Sequence, residues 1–363
     1  MLSVDSVRAE GHTKILIMKF PTILSLSIAL FAAPILKADT SLTFEPKGTP
    51  KGKQVVLLAG DEEYRSEEAM PMIGKILSQK HGFSCTVLFA ADEDGTVRPE
   101  KQDSLTNPEA LDKADVIVMS LRFRNWNAET VAKFKGAVNR GVPIIGLRTS
   151  THAFNGKGDP ELAKFGKEVL GEGWISHWGV HKGQATKGVT EPGAENEALL
   201  RGVTDVFGTS DVYEVYPPAD AKILIRGQVL VGMKPTDAPA TNQKKRATDK
   251  EMQGVNEPMM PVAWTREVAN KAGTKNKVLC TTMGAATDLD SEGLRRLVVN
   301  GVYWGVGLEV PEKADVEYVD PYKPTMYGFK GSIPGLKVDD FQLGKPWPGK
   351  VVEKAPDKAP DTK

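Results

Sequence analysis

The sequence has 363 residues, with 47 basic and 47 acidic side chains, so its formal charge is zero. Proteins that bind nucleic acids through phosphate contacts carry a basic surplus, and this balance excludes that class of partner. Apolar residues make up 40% of the chain and charged residues 26%, which is typical of a folded globular protein. The 2 cysteines are too few for a scaffold stapled by disulfides.

The first 38 residues are interpreted as a secretory signal peptide. Met18 and Lys19 form a basic start, an apolar run follows over residues 20–33, and the small residue Ala38 closes a cleavage site. The run is shorter than the roughly 20 residues of a membrane span, and an uncleaved anchor is the minority interpretation. Residues 1–17 are interpreted as an upstream extension. We therefore expect a periplasmic or secreted protein without a stable membrane anchor after cleavage.

Beyond the leader, buried strands alternate with amphipathic helices. Pro71 is predicted to open a first helix that ends at His81, and a second helix is predicted between Asn127 and Arg140. Continuous apolar runs between these helices are typical of parallel strands covered on both faces; they span 54–60, 85–90, 115–120 and 142–147. The alternation predicts an α/β fold with a doubly wound, mostly parallel sheet and helices on both faces.

The second half of the chain has a less regular pattern. We predict a helix over 161–170, and over 222–233 either one strand broken near Gly227 or a hairpin. A polar segment is predicted as a long surface loop, two further strands follow, and a last helix begins near Ser291; the loop spans 234–260 and the strands 262–268 and 277–282. The predicted domain covers 50–311, and an extended tail follows over 312–363, with a disordered end rich in Pro and Lys.

Polar residues follow the ends of the predicted strands. Ligands of open α/β sheets bind outside the carboxyl ends of the strands, so these positions are the first candidates for a site. Loops are also polar simply because they face water, but several loops of this kind meet at one edge of a sheet. The candidates are Asp61, Glu62, Glu63, Tyr64 and Arg65 after the first strand, Arg122 after the third, and Arg148, Thr151 and His152 after the fourth.

Three of the 5 histidines, His152, His177 and His181, follow one another in a single stretch. On a helix, the spacing of four between His177 and His181 would suit zinc, but the neighbouring Gly and Trp residues predict a segment that is not helical. A metal site is therefore the minority interpretation, no cofactor is predicted, and a divalent metal is left open. Trp178 between the histidines favours a sugar or another polar small molecule, because aromatic faces stack on pyranose rings.

Other forms of catalysis have weaker support in the sequence. The acidic residues after the first strand are candidates for acid/base work, and Asp288 is a distant candidate partner in a glycosidase-like pair. Ser150 lies near His152 but lacks the Gly-x-Ser-x-Gly elbow of hydrolases, and no phosphate-binding loop occurs. Cys85 and Cys280 fall in predicted strands and are interpreted as buried apolar side chains, with a disulfide between them left open.

Four segments together resemble exported ThuA-like (trehalose utilisation) proteins over about residues 50–310. The resemblance implies the flavodoxin-like fold of class I glutamine amidotransferases and a link to sugar metabolism, with a small-molecule carbohydrate as partner; it does not indicate an oligomeric state. The segments run from Gly60 to Glu68, from Pro143 to Phe154, from His177 to His181, and from Thr281 to Asp288.

The sequence departs from this superfamily at the nucleophile. The cysteine of the amidotransferases would fall at Arg148, whose guanidinium stays protonated and only donates hydrogen bonds, so glutamine hydrolysis is not expected. Arg148 is interpreted instead as an anchor for an anionic or hydroxyl-rich ligand. Many ThuA-like members carry Gly-His where this chain has Gly284-Ala285, so any role of that histidine is lost or relocated.

The leading hypothesis is an exported ThuA-like protein that acts on or binds a carbohydrate or modified sugar. A catalytically silent binding or assembly module is the alternative, and a metal-dependent hydrolase is a third hypothesis. The candidate catalytic residues are His152, His177, His181 and Asp61. The candidate ligand-binding residues are Glu63, Tyr64, Arg65, Arg122, Arg148, Thr151 and Trp178.

Overall fold

A computed structural model of the chain describes residues 39–330 and 333–348. The predicted signal peptide and the predicted disordered end of the chain lie outside the described residues. No helix among the residues described is long and apolar enough to cross a lipid bilayer.

Strands and helices alternate in the first half of the described chain, as predicted. The helices are α1 Ser66–His81, α2 Ala128–Asn139 and α3 Glu292–Gly305. The strands are β1 Ser41–Phe44, β2 Gln54–Gly60, β3 Ser84–Phe89, β4 Val116–Leu121, β5 Ile144–Leu147, β6 Ser176–His177, β7 Thr186–Thr190, β8 Phe207–Gly208, β9 Tyr213–Glu214, β10 Lys222–Val229, β11 Gln243–Lys245, β12 Met252–Gly254, β13 Met260–Ala269 and β14 Lys275–Thr281.

A 10-stranded sheet forms the centre of the fold, in the order β1-β3-β2-β4-β5-β14-β13-β10-β7-β8. Strands β3, β2, β4, β5 and β14 run parallel, which confirms the predicted α/β class. The remaining strands pair antiparallel at the two sides. β13 and β14 are joined by a short turn, and such a connection permits only antiparallel pairing.

The order of the parallel strands places helices on both faces of the sheet. The chain moves from β2 to β3 in one direction and from β4 to β5 in the other, and right-handed crossovers in opposite directions put α1 and α2 on opposite faces. The first apolar run is fully covered, with Val55, Val56, Leu57 and Leu58 each 0% exposed. The strand order reverses at β2, so a crevice is expected where β2, β4 and β5 end.

Helix α1 begins five residues before the predicted start. Its N-terminal boundary is Arg65, which has a left-handed backbone (φ 60°), and Pro71 lies inside the helix. The buried turn before it is closed by the Asp61 carboxylate, which accepts the backbone N–H groups of Glu63 and Tyr64. The prediction at Pro71 was wrong because the proline lies inside the helix, whose N-terminal boundary at Arg65 has no side-chain cap.

The helix predicted over 161–170 is broken into two short pieces. A 3-10 turn covers Leu162–Lys164 and a π-helical turn covers Gly166–Leu170. A Cβ atom at Gly166 would lie 1.8 Å from the Thr151 carbonyl oxygen, so only glycine allows this backbone to approach the loop after β5. The other short 3-10 segments are Pro108–Lys113, Arg148–His152, Ala198–Leu200, Asp288–Asp290 and Val338–Phe341.

The predicted surface loop over 234–260 contains the short antiparallel pair of β11 and β12. Ala240, Val255 and Met260 are buried, so the segment packs against the domain. Its strands were missed because each has three mostly polar residues and no alternating apolar pattern. Before this loop, β10 runs unbroken through Gly227, with register shifts near Ile225 instead.

The described part of the predicted tail covers the domain and does not stand apart from it. Tyr322 packs against Trp347, and Phe341 packs against Phe89 of β3. The buried side chains of this region are Ala314, Val316, Tyr322, Tyr327, Leu336, Val338 and Phe341. Cys85 in β3 and Cys280 in β14 are both buried, which confirms their interpretation as buried side chains. Both are free thiols, so they do not form a disulfide with each other.

Candidate functional site

Two histidines and two carboxylates meet beyond the ends of the parallel strands, in a group that we call the histidine cluster (Glu63, His177, His181 and Asp211). His177 Nδ1 lies 2.8 Å from Asp211 Oδ2, and His181 Nδ1 lies 3.4 Å from Asp211 Oδ1. On its other side, His181 Nε2 lies 3.4 Å from Glu63 Oε1. The imidazoles are partly exposed, whereas the Asp211 side chain is fully buried.

The segment that carries both histidines is not a helix, as predicted. It pairs with β9 through β6, which sets His177 opposite Tyr213, and it then turns so that Val180 accepts the N–H groups of Gly183 and Gln184. The turn brings the two imidazole rings to 4.8 Å between centroids. The spacing of four residues therefore produces a shared site without helical geometry.

Sequence reasoning missed Asp211, the residue that joins the cluster together. It lies between β8 and β9, and the pairing of β6 with β9 brings it beside His177. No local motif marks this position, because its role depends on a strand pair formed by distant parts of the chain.

Arg148 lies beneath the cluster with its side chain turned inward, a position that does not support its predicted role as a ligand anchor. Its side chain is 0% exposed, and Nη2 lies 2.9 Å from Asp211 Oδ1. The guanidinium also donates to the carbonyl oxygens of Asp211 and Thr282 and to the Tyr64 hydroxyl. Its backbone is left-handed (φ 45°), so a sharp turn follows β5, as in a nucleophile elbow, with an inward-facing arginine at its apex.

Two further candidates from the first loop are structural. The Asp61 carboxylate is buried and accepts bonds from two backbone N–H groups and from the Thr149 hydroxyl, so it is closed to a substrate. Arg65 is also buried, and its Nη2 donates to the carbonyl oxygens of Gly328 and Lys330. Their polar side chains thus hold the loop together, and the predicted catalytic and ligand roles are not supported by their positions.

Trp178 and Thr151 are likewise turned inward. Trp178 is 0% exposed and donates its indole N–H to the Val255 carbonyl oxygen at 2.8 Å. Thr151 is buried, and its hydroxyl lies 3.1 Å from His152 Nδ1 and 3.5 Å from the Arg148 carbonyl oxygen. Neither side chain is placed to contact a ligand directly.

Ser150 and Asp288 also serve the fold. The Ser150 hydroxyl donates to the Met119 carbonyl oxygen. Asp288 accepts the N–H groups of Gly284, Ala285 and Ser210 and is 0% exposed, which excludes it as a partner in a glycosidase-like pair. Gly284 (φ 132°) would place a Cβ atom 2.8 Å from the Leu147 Cβ, so this turn requires glycine.

Aromatic rings surround the exposed side of the cluster. Trp174 is 39% exposed, and its ring centroid lies 4.9 Å from that of His177 and 5.1 Å from that of His152. Phe123 lies 5.1 Å from His152 on the other side. The tryptophan that faces solvent beside the histidines is thus Trp174, whereas the sequence had indicated Trp178.

Burial and neighbouring charges set the protonation of this site. Burial alone would raise the pKa of the Asp211 carboxyl, but hydrogen bonds from His177 and His181 and the charge of Arg148 hold it well below its usual range. Burial, and then the nearby Asp61, raise the pKa of Glu63. Burial together with Arg122 and Arg148 lowers the pKa of His152 to about 3, so this imidazole is neutral at physiological pH.

The permanent charges around the site largely cancel in pairs. Arg148 is paired with Asp211, and Arg122 and Arg124 both contact the Glu62 carboxylate. Arg122 also lies over the ring of Phe123, with its Cζ 4.6 Å from the centroid. A ligand here therefore meets hydrogen-bonding groups and aromatic faces more than an uncompensated charge.

The histidine cluster has the donor set of a transition-metal site. One donor atom from each of His177, His181 and Asp211 lies within 4.8 Å of the others. Two imidazoles and a carboxylate are the ligands of several catalytic zinc and non-haem iron centres.

A separate cavity of about 520 Å³ lies elsewhere, and its lining includes Lys135, Phe165 and Lys271. Lys135 and Lys271 are both paired with Glu161. The cavity contains none of the predicted site residues, so we place the candidate site at the histidine cluster.

Comparisons with known proteins agree with the fold and the motifs. The sequence model of the ThuA family, described as trehalose utilisation, matches residues 54–305. No curated protein matches the chain.

Among solved structures, the chain is similar to two ThuA-like proteins. The one from Parabacteroides merdae ATCC 43184 is 13% identical, with a TM-score of 0.48 over 72% of this chain and 92% of that chain. The one from Bacteroides uniformis ATCC 8492 is 15% identical, with a TM-score of 0.45 over 71% and 93%. The exo-β-1,4-mannosidase Op5Man5 from Opitutaceae bacterium strain TAV5 is 9% identical, with a TM-score of 0.31 over 71% of this chain and 36% of that chain.

Proposed function

The chain belongs to the ThuA family, described as trehalose utilisation, and from this membership we propose that it is an enzyme acting on a carbohydrate at the histidine cluster. The family points to a carbohydrate-related role. The proposal adds the place and the chemistry, which is proton transfer to and from a sugar in a hydrolysis or an elimination.

The observation that carries the proposal is the contact between His177 and Asp211. A carboxylate at 2.8 Å from Nδ1 holds the proton on that nitrogen, which leaves Nε2 as a proton acceptor. Asp211 is itself held by the buried Arg148. A half-exposed imidazole fixed by a buried carboxylate is a suitable general base for a sugar hydroxyl or an acidified C–H group.

The surroundings favour an uncharged sugar as the ligand. The nearby guanidinium groups are already paired with carboxylates, so an anionic ligand gains little from them. Trp174 presents an exposed ring beside His177, and aromatic faces suit the apolar face of a pyranose. Glutamine hydrolysis does not fit this site, because the nucleophile position holds the buried Arg148.

Turnover of a sugar panel by the purified protein tests the proposal. The panel holds trehalose, maltose, cellobiose, mannobiose and their oxidised derivatives, with products identified by mass spectrometry. We expect His177→Ala to lower kcat at least about a hundredfold, the usual contribution of a general base. His81→Gln is the matched control, since His81 contacts Tyr303 and the Asp315 carbonyl oxygen, away from the cluster.

Equal rates in wild type and His177→Ala would contradict the assigned role of His177. Binding without any turnover would instead support the silent binding module.

A metal-dependent hydrolase is the second candidate, because the donor atoms of His177, His181 and Asp211 lie within 4.8 Å of one another. Elemental analysis of protein purified without chelators tests it. A stoichiometric metal that is lost in His181→Ala would favour this candidate over direct proton transfer by His177, and protein that is active without metal would exclude it.

We also propose that the protein is exported after cleavage behind Ala38, as the basic start and short apolar run of the leader indicate. Mass spectrometry of the protein from a secreting host should find Asp39 as its first residue. Recovery of the full-length chain would contradict cleavage.

A further inference from the structure

We infer that residues 320–330, here called the C-terminal strap, form one wall of the carbohydrate site, and that Phe329 contacts a second sugar ring and so selects disaccharides. The inference rests on the proposed function, because it concerns the same site. The strap lies beyond residues 54–305, the range that matches the family.

Buried charged groups hold the strap in place. The Glu68 carboxylate accepts the N–H of Thr325 at 2.8 Å and its hydroxyl at 2.6 Å. Arg65 Nη2 donates to the Gly328 carbonyl oxygen at 2.8 Å, and the Gly328 N–H donates to the Glu63 carbonyl oxygen at 2.8 Å. Hydrogen bonds to charged groups are among the stronger ones in proteins, so the strap is a fixed part of the site.

These contacts explain the charged motif after β2. Arg65 and Glu68 belong to the segment that resembles the ThuA family, yet both are turned away from the histidine cluster and toward the strap. The motif therefore serves to attach a segment that lies outside the family match.

The strap brings two aromatic residues to the site. The Tyr327 ring stacks on Tyr64 at 5.0 Å between centroids and lies 5.4 Å from the His181 ring. Its hydroxyl donates to the Thr209 carbonyl oxygen at 2.8 Å. Because Tyr327 is buried, it is a positioning residue that closes the wall beside His181.

Phe329, two residues further on, is 66% exposed. Its ring centroid lies 4.9 Å from Arg122 Cζ, so the guanidinium packs between the rings of Phe329 and Phe123. This cation–π contact orients the phenyl group and leaves much of it open. An exposed aromatic ring held in this way at the edge of a polar site is a platform for the apolar face of a sugar.

The order of contacts places Phe329 at the far end of the ligand. Arg122 Nε lies 3.7 Å from Glu63 Oε2, and Glu63 Oε1 lies 3.4 Å from His181 Nε2. Arg122 and Glu63 thus stand between the phenyl ring and the imidazole. With two side chains between them, we expect a sugar ring bound at the histidine cluster to stop short of Phe329 and a second ring linked to it to contact the phenyl group.

Binding measurements with paired probes test the inference. Isothermal titration of wild type, Phe329→Ala and Phe329→Trp with trehalose, maltose, cellobiose and mannobiose is compared with titration by glucose and mannose. Leu343→Ala is the matched control, because Leu343 is an apolar side chain outside the strap and is 40% exposed. We expect Phe329→Ala to raise the Kd of the bound disaccharide about tenfold and that of the monosaccharide less than twofold. Phe329→Trp should stay close to wild type.

The outcomes separate the inference from the proposed function. If wild type binds disaccharides and Phe329→Ala binds them as Leu343→Ala does, the role of Phe329 is refuted while the proposed function stands. An equal loss of affinity for monosaccharides and disaccharides in Phe329→Ala would also refute this role, since the phenyl ring would then contact the first sugar ring. If wild type binds no sugar of the panel, the proposed function fails and the inference fails with it.

Discussion

Arg148 and Asp211 form a fully buried ion pair, with guanidinium Nη2 at 2.9 Å from carboxylate Oδ1. The other oxygen of the same carboxylate lies 2.8 Å from His177 Nδ1. The pair therefore connects the interior of the α/β sheet to the exposed imidazole. Removal of one buried partner leaves an uncompensated charge, which is costly in an interior of low polarity, so the geometry of the cluster depends on both residues.

The first prediction concerns the stability of this pair. We expect Arg148→Met to lower the free energy of unfolding by about 3–5 kcal/mol, because the buried Asp211 carboxylate loses its ionic partner. Urea denaturation followed by circular dichroism measures the change. In the double variant Arg148→Met/Asp211→Asn, the free energy of unfolding should fall by less than the sum of its decreases in the two single variants. Additive losses would show that the two side chains do not interact.

The second prediction concerns the role of Asp211 in the proposed reaction. Asp211→Asn keeps the shape of the side chain but removes the charge that holds the proton on His177 Nδ1. We expect kcat to fall about a hundredfold or more, the usual size of a general acid–base effect, and by a larger factor than any rise in the Kd of the sugar that follows from the lost ion pair. Steady-state kinetics and titration calorimetry measure the two quantities. A change confined to Kd would mean that Asp211 acts in ligand binding instead.

The third prediction separates the two tryptophans near the histidines. Trp174→Ala should weaken sugar binding about tenfold, or about 1.4 kcal/mol, with little loss of stability, because its ring is partly exposed beside His177. Trp178→Phe should do the reverse. It removes the indole bond to the Val255 carbonyl oxygen and should cost about 1 kcal/mol of stability, with binding unchanged. Thermal unfolding and calorimetry on both variants decide between these assignments.

The fourth prediction concerns Glu67 at the start of α1. Among the described residues, neither of its carboxylate oxygens has a hydrogen-bond partner, and burial together with the neighbouring Glu68 raises its pKa above the usual 4.5. The folded state thus keeps a proton that the unfolded chain releases, so the free energy of unfolding falls as pH rises from the usual pKa toward the raised one. Glu67→Gln removes this dependence and should be more stable than wild type at pH 8, by an amount on the order of 1 to 2 kcal/mol.

Thermal unfolding between pH 5 and pH 8 measures the effect. The difference in stability between Glu67→Gln and wild type should shrink toward pH 5. Near that pH, which is close to the usual pKa, protonation of the Glu67 carboxyl on folding costs little free energy. Glu129→Gln is the control, because Glu129 lies in the first turn of α2 and is exposed to solvent, so its replacement should leave the pH dependence of stability unchanged. A constant difference between Glu67→Gln and wild type across this pH range would contradict the assignment of the proton to Glu67.

The sequence by itself determined the α/β class, the parallel strands and the edge of the sheet at which the candidate residues collect. These features depend on local patterns. A continuous apolar run such as Val55–Leu58 is typical of a strand covered on both faces, and the residues that follow parallel strands lie at one edge of the sheet. The proximity of His177 and His181 was predicted for the same reason, because the two residues are close together in the chain.

Only the tertiary structure decided which side chains line the candidate site and which face the interior. Arg148, Asp61 and Trp178 are turned inward, Trp174 is turned outward, and Asp211 joins the cluster through the pairing of β6 with β9. The strap likewise reaches the site through Arg65 and Glu68, more than two hundred residues earlier in the chain. The physical reason is that hydrogen bonds and ion pairs between distant segments depend on strand register and loop geometry, which no local periodicity encodes.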